Sequence, residues 1–135
     1  MKHVSLVFRL IAATILLQTL FFKFSGAEES KFIFSTLGIE PWGRWFAGVS
    51  ELVACLLLLV PATQVLGAMA AIGIMAGAIM SHLFFLGIVV QNDGGLLFGL
   101  AWAVLLASAG VLWLNQDRIA KLIQRVQDIW RTVRA

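Results

Sequence analysis

The stretch GVSELVACLLLLVP, residues 48–61, decides the fold of this chain because it places one carboxylate inside a long apolar run. Glu51 lies in an apolar segment that begins near Trp42 and ends at Pro61. At about 1.5 Å per residue, it is ~13 Å from one end of a membrane-spanning helix, close to mid-bilayer. A charge at that depth costs at least ~2.5–3.5 kcal/mol. Glu51 is therefore predicted to face the protein interior and to have a polar partner.

The composition is that of an integral membrane protein. Of 135 residues, 61% are hydrophobic and 13% are charged, and the mean hydropathy is +0.96. A soluble domain has about 25% charged residues. Four runs reach the ~20 apolar residues that a spanning helix needs, namely residues 4–24, 42–60, 65–89 and 94–114. They predict an all-α polytopic membrane protein, with a four-transmembrane-helix bundle over residues 1–114 and a separate helix over residues 115–135.

The first run has two interpretations. Lys2 and Arg9 ahead of an apolar stretch are typical of a cleaved signal peptide. The run lacks a small-x-small cleavage site, however, and continues through Phe21 to Phe24, with Lys23 at its outer boundary. We therefore expect a retained helix.

The distribution of basic residues predicts the orientation in the membrane. Lys2 and Arg9 precede the first acidic residue, Glu28, and the short loop near Asp93 contains an acid only. The C-terminal segment is rich in basic residues, which are Arg118, Lys121, Arg125, Arg131 and Arg134. We therefore expect both termini in the cytoplasm.

Two segments outside the four runs have patterns of their own. Residues 30–37 (SKFIFSTL) predict a short helix over the outer ends of the spans, with Phe32 and Phe34 turned inward. From residue 115 onward, apolar residues recur at three- and four-residue steps among basic ones. This pattern predicts an amphipathic helix on the inner membrane surface, attracted by anionic lipid. A protein-binding helix is the alternative, and no nucleic-acid partner is expected.

Small residues predict two packing seams between helices. Gly73 and Gly77 have the small-xxx-small spacing that permits close approach, and we expect them to pack within the bundle. The fourth run has small residues at four-residue steps, which are Gly95, Gly99, Ala103 and Ala107. This run contains no ionisable residue, so we expect a structural role for it.

Polar side chains from three runs are expected in one layer of the outer half of the bundle. At ~1.5 Å per residue, Glu51, His82 and Gln18 lie ~13, ~10 and ~9 Å below the outer surface. Met75 shares a helix face with His82. Arg9 lies ~9 Å deeper than Glu51, and two positions stay open for it, one inward-facing and one reaching the lipid headgroups.

This polar layer has three interpretations. It is a structural network that fixes helix register, a binding site for a quinone or similar flat lipid-soluble molecule at His82 and Glu51, or a path for protons or ions. No metal site is expected, because one Glu and one His are fewer than the three or four ligands of a zinc site. Cys55 is the single cysteine, which excludes an intramolecular disulfide and a CxxC pair, and we expect it to be a small buried residue.

The polar residues together resemble the DoxX family of small four-helix membrane proteins. The matching residues are Arg9, Lys23, Glu51 within GVSELVACLLLLVP, Met75, Ala78 and His82. Residues 91–98 (QNDGGLLF) are similar to one branch of DoxX-like proteins. The resemblance covers residues 4–114 and leaves the segment from residue 116 outside.

The resemblance implies a multi-pass protein of the bacterial inner membrane. The family is named after a small membrane component associated with a thiosulfate:quinone oxidoreductase, and distant relatives act as cargo receptors or assembly chaperones. It therefore implies a quinone-associated redox-accessory subunit with a redox partner protein. The alternative is a non-catalytic membrane partner or assembly factor whose polar network is structural, since fold does not choose between these functions. Whether the chain catalyses a reaction is left open, and nothing in the sequence points to thiosulfate.

Overall fold

The computed structural model describes residues 2–135, and all regular structure in them is helical. The helices are α1 (Lys2–Ser25), α2 (Glu28–Thr36), α3 (Trp42–Leu59), α4 (Gln64–Ser81), α5 (Leu96–Leu114) and α6 (Gln116–Arg134). A 3-10 turn (Pro61–Thr63) precedes α4, and a π-helical turn (His82–Leu86) extends it. The segments that contain α1, α3, α4 and α5 are long and apolar enough to cross a membrane. The prediction of an all-helical chain with four long apolar helices is confirmed.

The helix ends differ from the sequence prediction where turns intervene. The third run was expected to continue to residue 89, but the helical backbone stops at Gly87, whose φ of 80° lies in the left-handed region. The fourth run was expected to begin at residue 94, whereas α5 begins at Leu96. Asp93 sets this start, because its carboxylate accepts hydrogen bonds from the backbone N–H groups of Gly95 and Leu97 at 2.8 and 3.1 Å.

The four long helices form a square in cross-section. α1 packs against α3 and α5, and α4 packs against the same two helices, so α1 and α4 occupy opposite corners. Small and medium apolar residues fill the interior, including Ala12, Ala13, Leu16, Ala54, Leu58, Ala68, Ala71, Val104 and Val111. The outer surface carries large exposed apolar side chains such as Phe85 and Leu106. Because lipid tails are as apolar as leucine, close packing of small residues and polar contacts hold such helices together.

The glycine that permits a close approach between long helices is not one of those that the sequence predicted. A Cβ on Gly67 would lie 2.5 Å from the backbone nitrogen of Leu58, so α3 and α4 require glycine here. A Cβ on Gly73, Gly77 or Gly99 would meet nothing within 4 Å. The predicted packing seams are therefore wrong at these three residues. Both Gly73 and Gly77 are exposed, and Gly77 also lines a cavity, so neither glycine forms a close contact between helices.

The two ends of the bundle differ. α2 lies across one end, here called the α2 end, where it contacts α1, α3 and the π-helical turn. The predicted short helix is thus present, shifted to Glu28–Thr36. Phe34 is buried as expected, but Phe32 is 43% exposed, so the inward orientation is wrong for Phe32. Arg44, at the start of α3, forms an ion pair with Glu40 at 2.9 Å and donates a hydrogen bond to the carbonyl of Lys23.

α6 extends from the opposite end, here called the α6 end, and none of its residues is buried. It contacts α5, and the Nη1 group of Arg118 donates a hydrogen bond to the carbonyl oxygen of Pro61 at 2.5 Å. Its apolar side chains are exposed, including Ile123, Ile129, Trp130 and Val133. The helix itself is as expected, while its attraction to lipid and the orientation of the bundle stay predictions.

Candidate functional site

A cavity of about 360 Å³ lies inside the α2 end of the bundle. α2 and the loop that follows it cover the cavity, and α1, α3, α4 and α5 contribute to its walls. Most of the lining is apolar. The polar side chains in it are Thr19, Lys23, Glu29, Ser30, Glu51, Ser81 and His82. Trp42 and Phe46 also line the cavity and are 62% and 71% exposed, so the cavity reaches the apolar side surface of the bundle.

Glu51 has two polar partners on α1. Its Oε1 atom lies 3.0 Å from the Nζ atom of Lys23, and its Oε2 atom lies 3.2 Å from the Thr19 hydroxyl, which donates to it. The same hydroxyl lies 3.0 Å from the carbonyl oxygen of Leu16, so its single proton is shared between two acceptors. The Glu51 side chain is 4% exposed and that of Lys23 is 17% exposed. Glu51 therefore has polar partners, as predicted, but they are Lys23 and Thr19 rather than His82 or Gln18. Lys23 and Thr19 are four apart on α1 and therefore share one helix face.

Lys23 keeps hydrogen-bonding capacity toward the cavity. An ammonium group has three donors, and the contact with Glu51 uses one of them. Lys23 was expected to mark the membrane boundary, and it does lie near the end of α1. It also lines the cavity, while its position relative to a membrane boundary stays a prediction.

His82 is held by the turn that ends the α4 segment. Its Nδ1 atom lies 2.9 Å from the carbonyl oxygen of Gly87, and its ring packs edge-to-face on Phe98 at 5.6 Å between centroids. Because a carbonyl oxygen only accepts, Nδ1 carries the proton and Nε2 of the neutral ring is an acceptor. Met75, Ala78 and His82 all line the cavity, which confirms that they share one face. His82 is buried, and no hydrogen bond joins it to Glu51 within residues 2–135.

Glu29 adds a carboxyl group from the covering helix. Its Oε1 atom is buried and has no hydrogen-bond partner within residues 2–135. Burial and the nearby negative charge of Asp93 raise the pKa of Glu29. Burial also acts to raise the pKa of Asp93, but hydrogen bonds from three backbone N–H groups outweigh it, so the pKa of Asp93 is lowered. The two carboxyl groups are therefore shifted in opposite directions.

Arg9 lies outside the cavity lining and stabilises the end of α3. It is 6% exposed, and its Nε and Nη2 groups donate to the carbonyl oxygens of Leu58 and Leu59 at 2.5 and 2.6 Å. The last carbonyls of a helix have no partner within it. The sequence left two orientations open for Arg9, and the structure has the inward-facing one.

The expected contribution of Gln18 needs correction. Gln18 is exposed and does not line the cavity, whereas its neighbour Thr19 does. Successive helical residues are rotated by about 100°, so depth alone could not distinguish them. A usable signal was present, because Leu16, Thr19 and Lys23 recur at steps of three and four on one face. Glu29 was missed because its segment reads as a connection between helices.

The cavity combines two polar groups across an apolar lining. One is the cation, carboxylate and hydroxyl of Lys23, Glu51 and Thr19, and the other is the His82 imidazole. Within residues 2–135, His, Cys, Asp and Glu side chains form no group of three or more that could hold a metal ion. Cys55 is fully buried, and its Sγ atom contacts the carbonyl oxygen of Ala13 at 3.7 Å.

Comparisons of the chain with protein-family models, with curated proteins and with solved structures find no match.

Proposed function

We propose that this chain is a DoxX-like membrane protein that holds a quinone in the cavity at the α2 end, as the accessory subunit of a membrane redox protein. One observation carries the proposal: a mostly apolar cavity has a cationic donor, Lys23, and an imidazole acceptor, His82, on different helices. A quinone is a flat apolar ring with carbonyl oxygens, which become hydroxyls on reduction. Lys23 would donate to an oxygen of the ring, and the Nε2 atom of His82 would accept from a hydroxyl of the reduced form.

The size and position of the cavity support a ring with a lipid-soluble tail. Its volume of about 360 Å³ lies in the ~300–1,000 Å³ range of small-molecule sites. This space accommodates a ring and the beginning of a tail. The tail would leave past Trp42 and Phe46, which line the cavity and are exposed on the side of the bundle.

In this proposal the chain binds and orients the quinone, and the partner protein supplies or removes electrons. Glu51 fixes the position of the Lys23 ammonium through the 3.0 Å ion pair. Thr19 fixes the other carboxylate oxygen. The Gly87 carbonyl fixes the tautomer of His82.

The completeness of the Glu51 contacts favours a second function. Both carboxylate oxygens of Glu51 have partners inside the bundle, and Arg9 donates two hydrogen bonds to the end of α3 at the other end. In this alternative, the polar groups only fix helix register, and the chain is a non-catalytic membrane partner or assembly factor. Buried polar groups fix register in some well-studied systems.

The test measures quinone content and thermal stability together, for the protein purified from its membrane. The variants are Glu51→Gln, His82→Phe and the double substitution. Phenylalanine keeps an aromatic ring that can pack on Phe98, and glutamine keeps the shape of Glu51. We expect each single variant to retain about tenfold less quinone, which corresponds to roughly 1.4 kcal/mol. His82→Phe removes the Nε2 acceptor, and one hydrogen bond contributes about 0.5–1.5 kcal/mol. Glu51→Gln removes the carboxylate that positions the Lys23 ammonium.

Ser108→Ala is the matched control. Ser108 is fully buried, its hydroxyl has no partner within residues 2–135, and it does not line the cavity. This variant should keep the wild-type quinone content. Equal quinone content in all variants, with only thermal stability changed, would support the structural alternative and exclude the binding site.

A further inference from the structure

A second groove, of about 260 Å³, lies at the α6 end of the bundle between the start of α4 and α6. Its lining residues are Ala62, Val65, Leu66, Arg118, Lys121, Leu122 and Arg125. One wall is therefore apolar, and the other carries three cations. None of the described residues that line it is acidic.

The three cations have no acidic partner in the described chain. The two ion pairs within residues 2–135 are Lys23–Glu51 and Arg44–Glu40, both near the α2 end. Arg118, Lys121 and Arg125 are spaced by three and four residues, so they lie within about 60° of one another around α6. Their charges therefore concentrate on the groove.

The neighbouring turn brings further positive charge close to the groove. Arg118 donates to the carbonyl oxygen of Pro61, and Arg9 donates to those of Leu58 and Leu59. Two guanidinium groups thus engage three carbonyl oxygens within residues 58–61. The first turn of α4 also begins here, and the N-terminus of a helix favours an anion.

The apolar wall continues onto the outside of the bundle. Leu66 lines the groove and is 46% exposed, and Met69, three residues further along α4, is 50% exposed. Residues three apart share a helix face. An apolar path therefore runs from the cationic groove along the outer surface of α4.

We propose that this groove binds one anionic phospholipid, with the headgroup phosphate among Arg118, Lys121 and Arg125 and an acyl chain along Leu66 and Met69. Charge complementarity selects the phosphate, and the apolar path selects a lipid over a free anion. The bound lipid joins α6 to the bundle, which goes beyond a general attraction of α6 to a charged membrane surface. The proposal is independent of the quinone proposal, because it involves the opposite end of the bundle.

The test uses the purified full-length chain in a non-ionic detergent. Short-chain phosphatidylglycerol and phosphatidylcholine are titrated separately, and bound lipids are counted by native mass spectrometry. We expect one saturable phosphatidylglycerol adduct and binding of phosphatidylcholine that is at least tenfold weaker. Millimolar inorganic phosphate should not displace the adduct.

Two substitutions separate the groove from the rest of α6. Lys121→Gln with Arg125→Gln should weaken phosphatidylglycerol binding about 10–30-fold, since each basic residue near an anionic surface contributes about 1 kcal/mol. Arg131→Gln with Arg134→Gln removes the same charge from the same helix, outside the groove, and should leave binding nearly unchanged. All four residues are exposed, so each variant should fold.

Leu66→Trp tests the apolar wall without a change of charge. It fills part of the groove and should weaken phosphatidylglycerol binding about tenfold. If the two charge variants weaken phosphatidylglycerol binding equally, the binding follows the general charge of α6 and the groove proposal is wrong. If the two lipids bind equally well, the binding does not depend on the headgroup charge, and the proposal is also wrong. If inorganic phosphate displaces phosphatidylglycerol, the groove binds a free anion and not a lipid.

Discussion

Lys23 and Glu51 place a cation and a carboxylate 3.0 Å apart within a mostly apolar bundle. Removing one partner of a buried ion pair costs about 3–5 kcal/mol, because the other charge is left uncompensated. Lys23 is 17% exposed, so Lys23→Met should lower the free energy of unfolding by about 3 kcal/mol, the lower end of that range. The double variant Lys23→Met/Glu51→Leu removes both charges and should recover at least half of this loss. Unfolding in detergent measures both, and equal destabilisation by the single and double variants would contradict the pairing.

Thr19 and Gln18 are adjacent in sequence but differ in environment. Thr19→Val keeps the shape of the side chain and removes the hydrogen bond to Glu51. The expected loss is about 1 kcal/mol, between the ~0.6 kcal/mol average for membrane proteins and the ~1.5–3 kcal/mol of bonds to charged groups. Gln18→Leu changes an exposed side chain and should leave stability unchanged or higher. The opposite order of the two effects, read from unfolding midpoints, would mean that α1 is rotated relative to this structure.

At the scale of single elements, α2 carries a carboxyl group whose pKa is raised by burial and by Asp93. The folded state then binds the Glu29 proton more tightly than the unfolded state, so stability should fall as the pH rises above the ordinary value of 4.5. Asp93 acts in the other direction at lower pH: its lowered pKa gives stability that is lost as the pH falls below 3.8. Glu29→Gln should therefore raise the thermal midpoint at pH 7 and flatten its decline as the pH rises above 4.5.

Glu28→Gln is the control for this prediction. Glu28 is exposed and lies in the same first turn of α2, so its loss removes an equal charge and an equal interaction with the helix dipole. The pH profile of this variant should follow that of the wild type. Identical profiles for the two variants would contradict a specific effect of the buried Glu29 carboxyl, because the helix dipole favours a negative charge at this end and cannot cause the decline.

The contact between α3 and α4 depends on one glycine. A Cβ on Gly67 would lie 2.5 Å from the backbone nitrogen of Leu58 and 2.7 Å from the carbonyl carbon of Leu57. Backbone atoms cannot move aside as a flexible side chain can, so Gly67→Ala should destabilise the protein by about 1–3 kcal/mol. Gly73→Ala, on the same helix, meets nothing within 4 Å and should be neutral or slightly stabilising. Thermal midpoints of the two variants decide whether helix contact follows this structure or the Gly73–Gly77 spacing.

These elements show what the sequence could and could not predict. Helix number and approximate length follow from apolar runs, because a membrane span requires about 20 such residues. The depth of Glu51 and His82 follows from residue number, and both line one cavity. Helix rotation and the choice of neighbour depend on contacts between distant segments, so the partner of Glu51 and the exposure of Gln18 were not predictable from depth. The role of small residues was not predictable for the same reason, because a small residue can line a cavity or permit a close contact between helices.

At the scale of the whole molecule, the two ends of the bundle are joined differently. Polar contacts at the α6 end link α1 to α3, α4 and α5, whereas those at the α2 end link α1 to α3 beside a cavity. Near the α6 end, Ser5 on α1 donates to the side chain of Gln64 on α4 at 3.0 Å, and Asn115 donates to Ser5 at 3.2 Å. Arg9 adds its two bonds to α3. The α2 end instead contains the cavity, covered by a nine-residue helix. Any conformational change that admits a ligand to the cavity is therefore expected at the α2 end.

The orientation of the molecule is testable by thiol labelling at single cysteines. Cys55 is fully buried, so Cys55→Ala provides a background without it. Gln64 is buried and hydrogen-bonded, so the exposed neighbour Ala62 is the better position in the turn between α3 and α4. The excess of basic residues at both termini predicts that the α6 end faces the cytoplasm. In intact bacterial cells, a membrane-impermeant maleimide should label Glu28→Cys and leave Ala62→Cys and Thr132→Cys unlabelled.

Cell lysis is the control for this labelling, because all three positions are exposed and should then react. An even number of spans places both termini on one side, whichever way the bundle is inserted. Labelling of Ala62→Cys and Thr132→Cys without Glu28→Cys would therefore reverse the orientation and keep the four-span arrangement. Labelling of Glu28→Cys together with Thr132→Cys would contradict four spans, because the square packing of α1, α3, α4 and α5 puts these residues at opposite ends of the bundle.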